Sequence, residues 1–145
     1  MARENHMSKI LFECVIPGRP GILKNSKQIV RTRSGKTFLK ASDKYAIWEK
    51  MAFQFIAKAG REQQIDFPVN LKCEFYFVNH QYEPDIDNCY AGVQDLLQKA
   101  KVLLDDKLIY SHDGSKKIFG ARNDRIEITI TPFQDVESEL VGMDH

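Results

Sequence analysis

Carboxylate side chains stand before and after one short amphipathic segment in the middle of the chain. Asp85 and Asp87 precede the segment, and Asp105 and Asp106 follow it. Because carboxylates repel one another, a fold that gathers them needs a cation to stabilise the arrangement. Carboxylate oxygens are hard ligands that suit Mg²⁺ or Mn²⁺ better than zinc or copper. We therefore expect a divalent-metal site, with Asn88 orienting the carboxylates through hydrogen bonds.

Simpler interpretations of the same residues stay open. Asp87 can serve only as the N-cap of a helix over about 88–99, and Asp105-Asp106 can form only a turn. A helix of about 12 residues rises roughly 18 Å, and the extended residues that follow can span roughly 20 Å back. One subunit can thus close the site by itself. A site shared between two subunits is the alternative.

Hydrophobic periodicity predicts the elements that position these residues. Ser42 is a good N-cap for a first helix that ends at Gly60, and Ser34-Gly35 marks the tip of a hairpin. The predicted strands cover residues 9–16, 28–32, 37–40, 69–78, 108–119 (interrupted at Asp113-Gly114) and 125–131. This order predicts an α+β fold in which two main helices pack on a mixed β-sheet.

Length and composition indicate one soluble domain. We expect a leader over residues 1–6, a domain over 7–133 and an acidic flexible tail over 134–145. Three cysteines without CxxC spacing favour reduced thiols in a cytoplasmic protein. No apolar run reaches transmembrane length, so we expect no membrane partner, and we expect no organic cofactor.

A basic arm precedes the first helix and contains no acidic residue. Its seven cations are Arg19, Lys24, Lys27, Arg31, Arg33, Lys36 and Lys40. Such a cluster can neutralise several phosphates, which predicts nucleic-acid binding with a steep salt dependence. The alternative is a solvated hairpin.

The order and spacing of these motifs resemble the RusA family of Holliday-junction resolvases of bacteria and their phages. That family carries Asp-x-Asp-Asn, a helix with Asp-x-Leu, an Asp-Asp pair and a strand with a lysine. The matching elements here are Asp85-Ile86-Asp87-Asn88, Asp95-Leu96-Leu97, Asp105-Asp106 and Lys116. The predicted element order also agrees with the family from Lys9 to about Thr131.

By that resemblance, Asp85, Asp87 and Asp106 are the metal-binding catalytic carboxylates, and Asp105 assists. The implied protein is a homodimer that cuts four-way DNA junctions by symmetric paired hydrolysis, with Mg²⁺ or in its place Mn²⁺, in recombination and repair. A two-fold dimer matches the two-fold symmetry of the junction. Lys116 or Lys117 would supply positive charge. Lys116 is assigned to catalysis, and Lys117 joins the DNA-binding residues.

The sequence departs from the family at Ala91. The family usually has a lysine four residues after the second aspartate of Asp-x-Asp, where an ammonium stabilises charge that develops during cleavage. Three outcomes are open: a lysine relocated to another element, a slower enzyme, or a dimeric protein that binds junctions without cutting them. A more distant alternative is a protein-interaction domain whose acidic cluster binds Ca²⁺.

Overall fold

In the described part of the chain, strands come first and last, and two long helices separated by one strand lie between them. The structure, a computed structural model, describes residues 9–20, 27–31, 33–35, 37–41, 43–81 and 83–134. Its elements in chain order are β1 (Phe12–Pro17), β2 (Lys27–Arg31), β3 (Thr37–Ala41), α1 (Asp43–Gly60), β4 (Val69–Phe77), α2 (Ile86–Lys99), a 3-10 turn (Asp106–Leu108), β5 (Ile109–Ser111), β6 (Lys116–Phe119) and β7 (Arg125–Pro132). The α+β class and the element order are confirmed.

Strand β4 is the centre of a five-stranded mixed sheet. It pairs antiparallel with β7, which pairs antiparallel with β1. On its other edge β4 pairs in parallel with β5 near its start and with β6 near its end. The predicted strand over 108–119 is thus two strands, broken near Asp113-Gly114 as expected. Gly114 has φ +87°, so a side chain there is strained, and its Cβ would lie 3.1 Å from the flexible stem of Lys72.

Both helices pack on one face of this sheet. Every second residue of β4 is buried, as the alternation predicts: Val69, Leu71, Cys73, Phe75 and Phe77. Helix α2 adds Val93, Leu96 and Leu97 to the same core. Burying each of these side chains contributes about 1.5–3 kcal/mol to folding. Neither α1 nor α2 is long and apolar enough to cross a bilayer, and the same holds for every helix of the described residues.

The predicted basic hairpin is present as β2 and β3. These strands pair antiparallel, with Ile29 opposite Leu39, and form a two-stranded sheet of their own. Gly35 at the tip has φ +87°, the conformation that a tight hairpin turn demands. Ser42, the predicted cap of α1, lies outside the described residues, as do 1–8 and 135–145, which include the expected leader and nearly all of the expected tail.

Helix α2 begins two residues earlier than predicted. Asp85, not Asp87, occupies the N-cap position, and Asp87 lies in the first helical turn. Pro84 restricts the residue before it to extended backbone, which stops the helix from starting further upstream. Ile86 packs against the core and fixes the first turn at that point. The expected capping role of Asp87 was therefore wrong.

The three cysteines are free, and all of them are buried. Burial raises the pKa of the Cys14 thiol to about 11 and that of Cys89 to about 12, and it raises the pKa of Cys73 further. Because the thiolate is the reactive form, we expect a disulfide reagent at mildly alkaline pH to modify the native protein about 100-fold more slowly than the denatured chain. Absorbance of the released chromophore measures both rates. Rapid native labelling of even one thiol would contradict this packing.

Candidate functional site

Asp85 and Asp87 lie at the amino end of α2. The Asp85 backbone is extended (φ −67°, ψ 149°), and its carbonyl accepts hydrogen bonds from the amides of Asn88 at 3.1 Å and Cys89 at 3.2 Å. The Asp85 carboxylate makes no capping hydrogen bond, and both carboxylates are on exposed residues. The positive end of the helix dipole partly offsets their mutual repulsion. This end of α2 therefore presents two carboxylates to solvent.

Asp105 and Asp106 lie at the 3-10 turn. Asp105 caps this turn, since its Oδ1 accepts a hydrogen bond from the Lys107 amide at 2.8 Å. That hydrogen bond is the main reason why the pKa of Asp105 is lowered, and a contact with Asp106 adds to the effect. Asp106 is exposed as the first residue of the turn. The Asp105 carboxylate is thus engaged in capping the turn, whereas Asp106 is exposed to solvent.

The two carboxylate pairs lie toward opposite ends of β4 within one chain. The 3-10 turn leads into β5, whose first residue pairs with Val69 at the start of β4. Asp85 instead follows the loop that leaves Phe77 at the end of β4. Nine strand residues span about 26 Å. Within the described parts of a single chain, no group of three or more Asp, Glu, His or Cys side chains is arranged to hold a metal ion.

Lys117 reaches the segment that leads into Asp85. Its Nζ donates to Glu83 Oε2 at 3.0 Å and to the Pro84 carbonyl at 3.2 Å. Lys116 pairs with Glu74 in the sheet and is exposed. Successive strand residues point to opposite faces, so the two neighbouring lysines do not share a surface.

Glu83 was not identified from the sequence. Its Oε1 lies 2.9 Å from His80 Nδ1, and these hydrogen bonds from His80 and Lys117 lower the pKa of Glu83. The His80 ring stacks on the Phe119 ring with 3.9 Å between the ring centroids, and the Phe119 ring stacks on that of Phe77 with 5.1 Å between centroids. The available sequence signal was the position of Glu83, directly before Pro84-Asp85. His80 is a neighbour in the loop after β4, whereas Lys117 comes from β6, which only the folded chain brings to Glu83.

The predicted DNA-binding residues have different environments. Arg19 is partly buried: its guanidinium donates to the Gln81 carbonyl, lies 3.7 Å from Asp124 and sits over the Phe77 ring. Arg19 therefore ties the end of β1 to the loop after β4. Arg33 is exposed at the hairpin tip, and Lys27, Arg31 and Lys40 lie in the hairpin strands. Lys24 and Lys36 fall outside the described residues.

Comparison with known proteins supports one family. A sequence profile described as endodeoxyribonuclease RusA matches residues 17–131. The crossover junction endodeoxyribonuclease RusA of Aquifex aeolicus (strain VF5) is 28% identical over 109 residues, which cover 75% of this chain and 83% of that protein. The matched region runs from the end of β1 into β7 and contains Asp85, Asp87 and Asp106. The chain therefore belongs to the RusA family.

Proposed function

We propose that this protein is a Mg²⁺-dependent endonuclease that resolves four-way DNA junctions by symmetric paired cleavage, with Mn²⁺ as a substitute metal. The observation that carries this proposal is the family match over residues 17–131, which spans the Asp85, Asp87 and Asp106 motif. The named relative is a crossover junction endodeoxyribonuclease, which supports the substrate class. The protein would act as a homodimer in the cytoplasm, where its buried thiols stay reduced.

The metal would be held between two subunits. Asp85 and Asp87 offer carboxylate oxygens toward one end of β4, and Asp106 offers one toward its other end. These are hard donors of the type that Mg²⁺ takes, but one chain does not gather all three. In a two-fold dimer with the chains antiparallel, Asp106 of each chain faces Asp85 and Asp87 of its partner. Two equivalent sites result, one for each strand to be cut.

The chain's own residues would position the phosphodiester for hydrolysis. A bound Mg²⁺ would supply Lewis-acid activation of the attacking water and of the phosphate. The water oxygen would form a bond to phosphorus and give up one proton, the bond from phosphorus to one sugar oxygen would break, and the departing oxygen would take up a proton. A lysine of β6 would stabilise the negative charge that develops on the phosphate.

The basic hairpin would grip the duplex arms beside the junction. Arg33 at its exposed tip, with Lys27, Arg31 and Lys40 along β2 and β3, provides cations on an element separate from the five-stranded sheet. Contacts of this kind go to phosphates and position the DNA without reading its sequence. Lys24 and Lys36 are proposed to contact DNA on the basis of their charge in the sequence alone.

The test is metal-dependent cutting of a labelled synthetic four-way junction. We expect paired nicks, placed symmetrically on two opposing strands, in Mg²⁺ or Mn²⁺ and none in EDTA, while linear duplex of the same sequence stays intact. Tight binding of the junction without cutting in either metal would instead favour a non-cleaving junction-binding protein. Ala91, which replaces the lysine usual in the family, is the reason for considering that alternative. Absence of any mobility shift with branched DNA at low salt would contradict both functions.

A further inference from the structure

Helix α2 carries no cation beside its amino-terminal carboxylates. Residue 91 lies one helical turn after Asp87 and on the same face, and it is an alanine. The basic residue of α2 is Lys99 in its last turn, where it pairs with Glu49 at 2.7 Å and Asp95 at 3.3 Å. A positive charge for a phosphate at Asp85 and Asp87 must therefore come from another element.

Strand register places Lys117 on the side of the sheet that faces α2. Lys117 is the cross-strand partner of Phe75, and paired residues on neighbouring strands point to the same face. The Phe75 ring packs edge-on against Tyr90 of α2 at 5.3 Å, which identifies that face. Lys116 pairs with Glu74 and so belongs to the opposite face. Of the two lysines of β6, only Lys117 therefore lies on the face that carries α2.

The ammonium of Lys117 is held in place before any DNA arrives. Its side chain is 23% exposed, and Glu83 Oε2 and the Pro84 carbonyl accept its hydrogen bonds. Pro84 is the residue directly before Asp85, so the charge lies beside the start of the carboxylate motif. Such fixing reduces the entropy that a flexible lysine loses on contacting a phosphate.

We infer that Lys117 is the catalytic lysine of this protein, which contacts the phosphate to be cut, and that Glu83 is the residue that positions it. The inference rests on the proposed nuclease function. That function calls for one lysine of β6 to stabilise the phosphate charge, and the inference identifies this lysine as Lys117. A phosphate oxygen would replace Glu83 as the partner of the ammonium, and Glu83 would keep its bond to His80. The positive charge that the family lysine would supply at position 91 of the helix then comes from Lys117 of the sheet.

The test compares Lys117→Met with two further variants. Methionine keeps the apolar stem and removes the charge, so the fold should be retained, which thermal unfolding checks. At saturating protein we expect the single-turnover cutting rate to fall about 100-fold, as for loss of a group that stabilises the transition state. Lys58→Met, in the exposed last turn of α1, is the matched control and should cut at the wild-type rate. Adding Ala91→Lys to Lys117→Met should restore at least about 10-fold of the loss.

Wild-type cutting by Lys117→Met, or an equal loss in Lys58→Met, would overturn the assignment. The positioning role is tested by Glu83→Gln, which should lower the maximal rate with little change in junction affinity. Equal rates in Glu83→Gln and wild type would remove that role.

Junction binding in EDTA separates this inference from the proposed function. If the wild-type protein cuts nothing in either metal, the nuclease proposal fails, but the phosphate contact can still be measured. The slope of log affinity against log salt concentration should become shallower by about one in Lys117→Met and stay unchanged in Lys58→Met. An unchanged slope in Lys117→Met would contradict the contact.

Discussion

Asp87→Asn is expected to reduce junction cutting by at least about 10³-fold while leaving junction binding within a few-fold of wild type. The substitution replaces a charged oxygen ligand with a neutral amide of the same shape. Charge stabilisation by a bound metal supplies several kcal/mol to the transition state, and each 1.4 kcal/mol or so corresponds to tenfold in rate. Single-turnover cutting in Mg²⁺ measures the first quantity, and mobility shift in EDTA measures the second.

Glu13→Gln is the control for this variant. It also exchanges a carboxylate for an amide, but Glu13 is exposed on β1, on the face of the sheet away from the helices. It should cut at the wild-type rate. Asp87 lies in the first turn of α2, where a negative charge is favourable, so its loss lowers stability slightly. A melting curve close to wild type assigns the lost activity to chemistry. Full activity of Asp87→Asn would exclude Asp87 as a metal ligand.

Much of the fold was predictable because its elements obey local rules. The alternation in β4 and β7 follows from one buried face, and α1 ends at Gly60 as predicted. The start of α2 was not predictable from capping preferences alone. Asp85 and Asp87 are equally good caps in isolation, and the packing of Ile86 against the core decides between them. Tertiary contacts therefore determine where α2 begins, because local capping preferences do not distinguish Asp85 from Asp87.

The geometry of the candidate site was not predictable from the sequence, and its residues stay a prediction. Chain-length arithmetic allowed Asp106 to return to Asp85 and Asp87, because an extended segment after α2 is long enough. The chain instead runs from α2 through the bridge between Ile65 and Leu103 and enters β5 beside the start of β4. Which β6 lysine faces α2 is likewise a matter of register, and a shift of one residue would exchange their faces. The position of Asp106 and the face of each β6 lysine both depend on which strands pair and in which register. Sequence periodicity does not specify either.

Two inactive chains should together form an active dimer if the metal is held between subunits. Asp87→Asn removes one ligand from the α2 end, and Asp106→Asn removes one from the 3-10 turn. In the mixed dimer both substitutions fall in the same site, so the other site retains Asp85, Asp87 and Asp106. Co-expression with two different affinity tags yields that mixed dimer free of either parent. We expect it to nick junctions at about half the wild-type initial rate, with a single nick in each bound junction instead of a pair, while each parent dimer is inactive.

The reciprocal combination gives the opposite result and excludes a trivial gain from mixing. When both substitutions are placed in one chain and its partner is wild type, each shared site lacks one carboxylate, and the dimer should cut nothing. A site contained within one chain predicts the reverse for both combinations. The doubly substituted chain would then leave its wild-type partner active, and the two singly substituted chains would not complement each other. The pair of experiments therefore decides where Asp106 acts, because no outcome is common to the two arrangements.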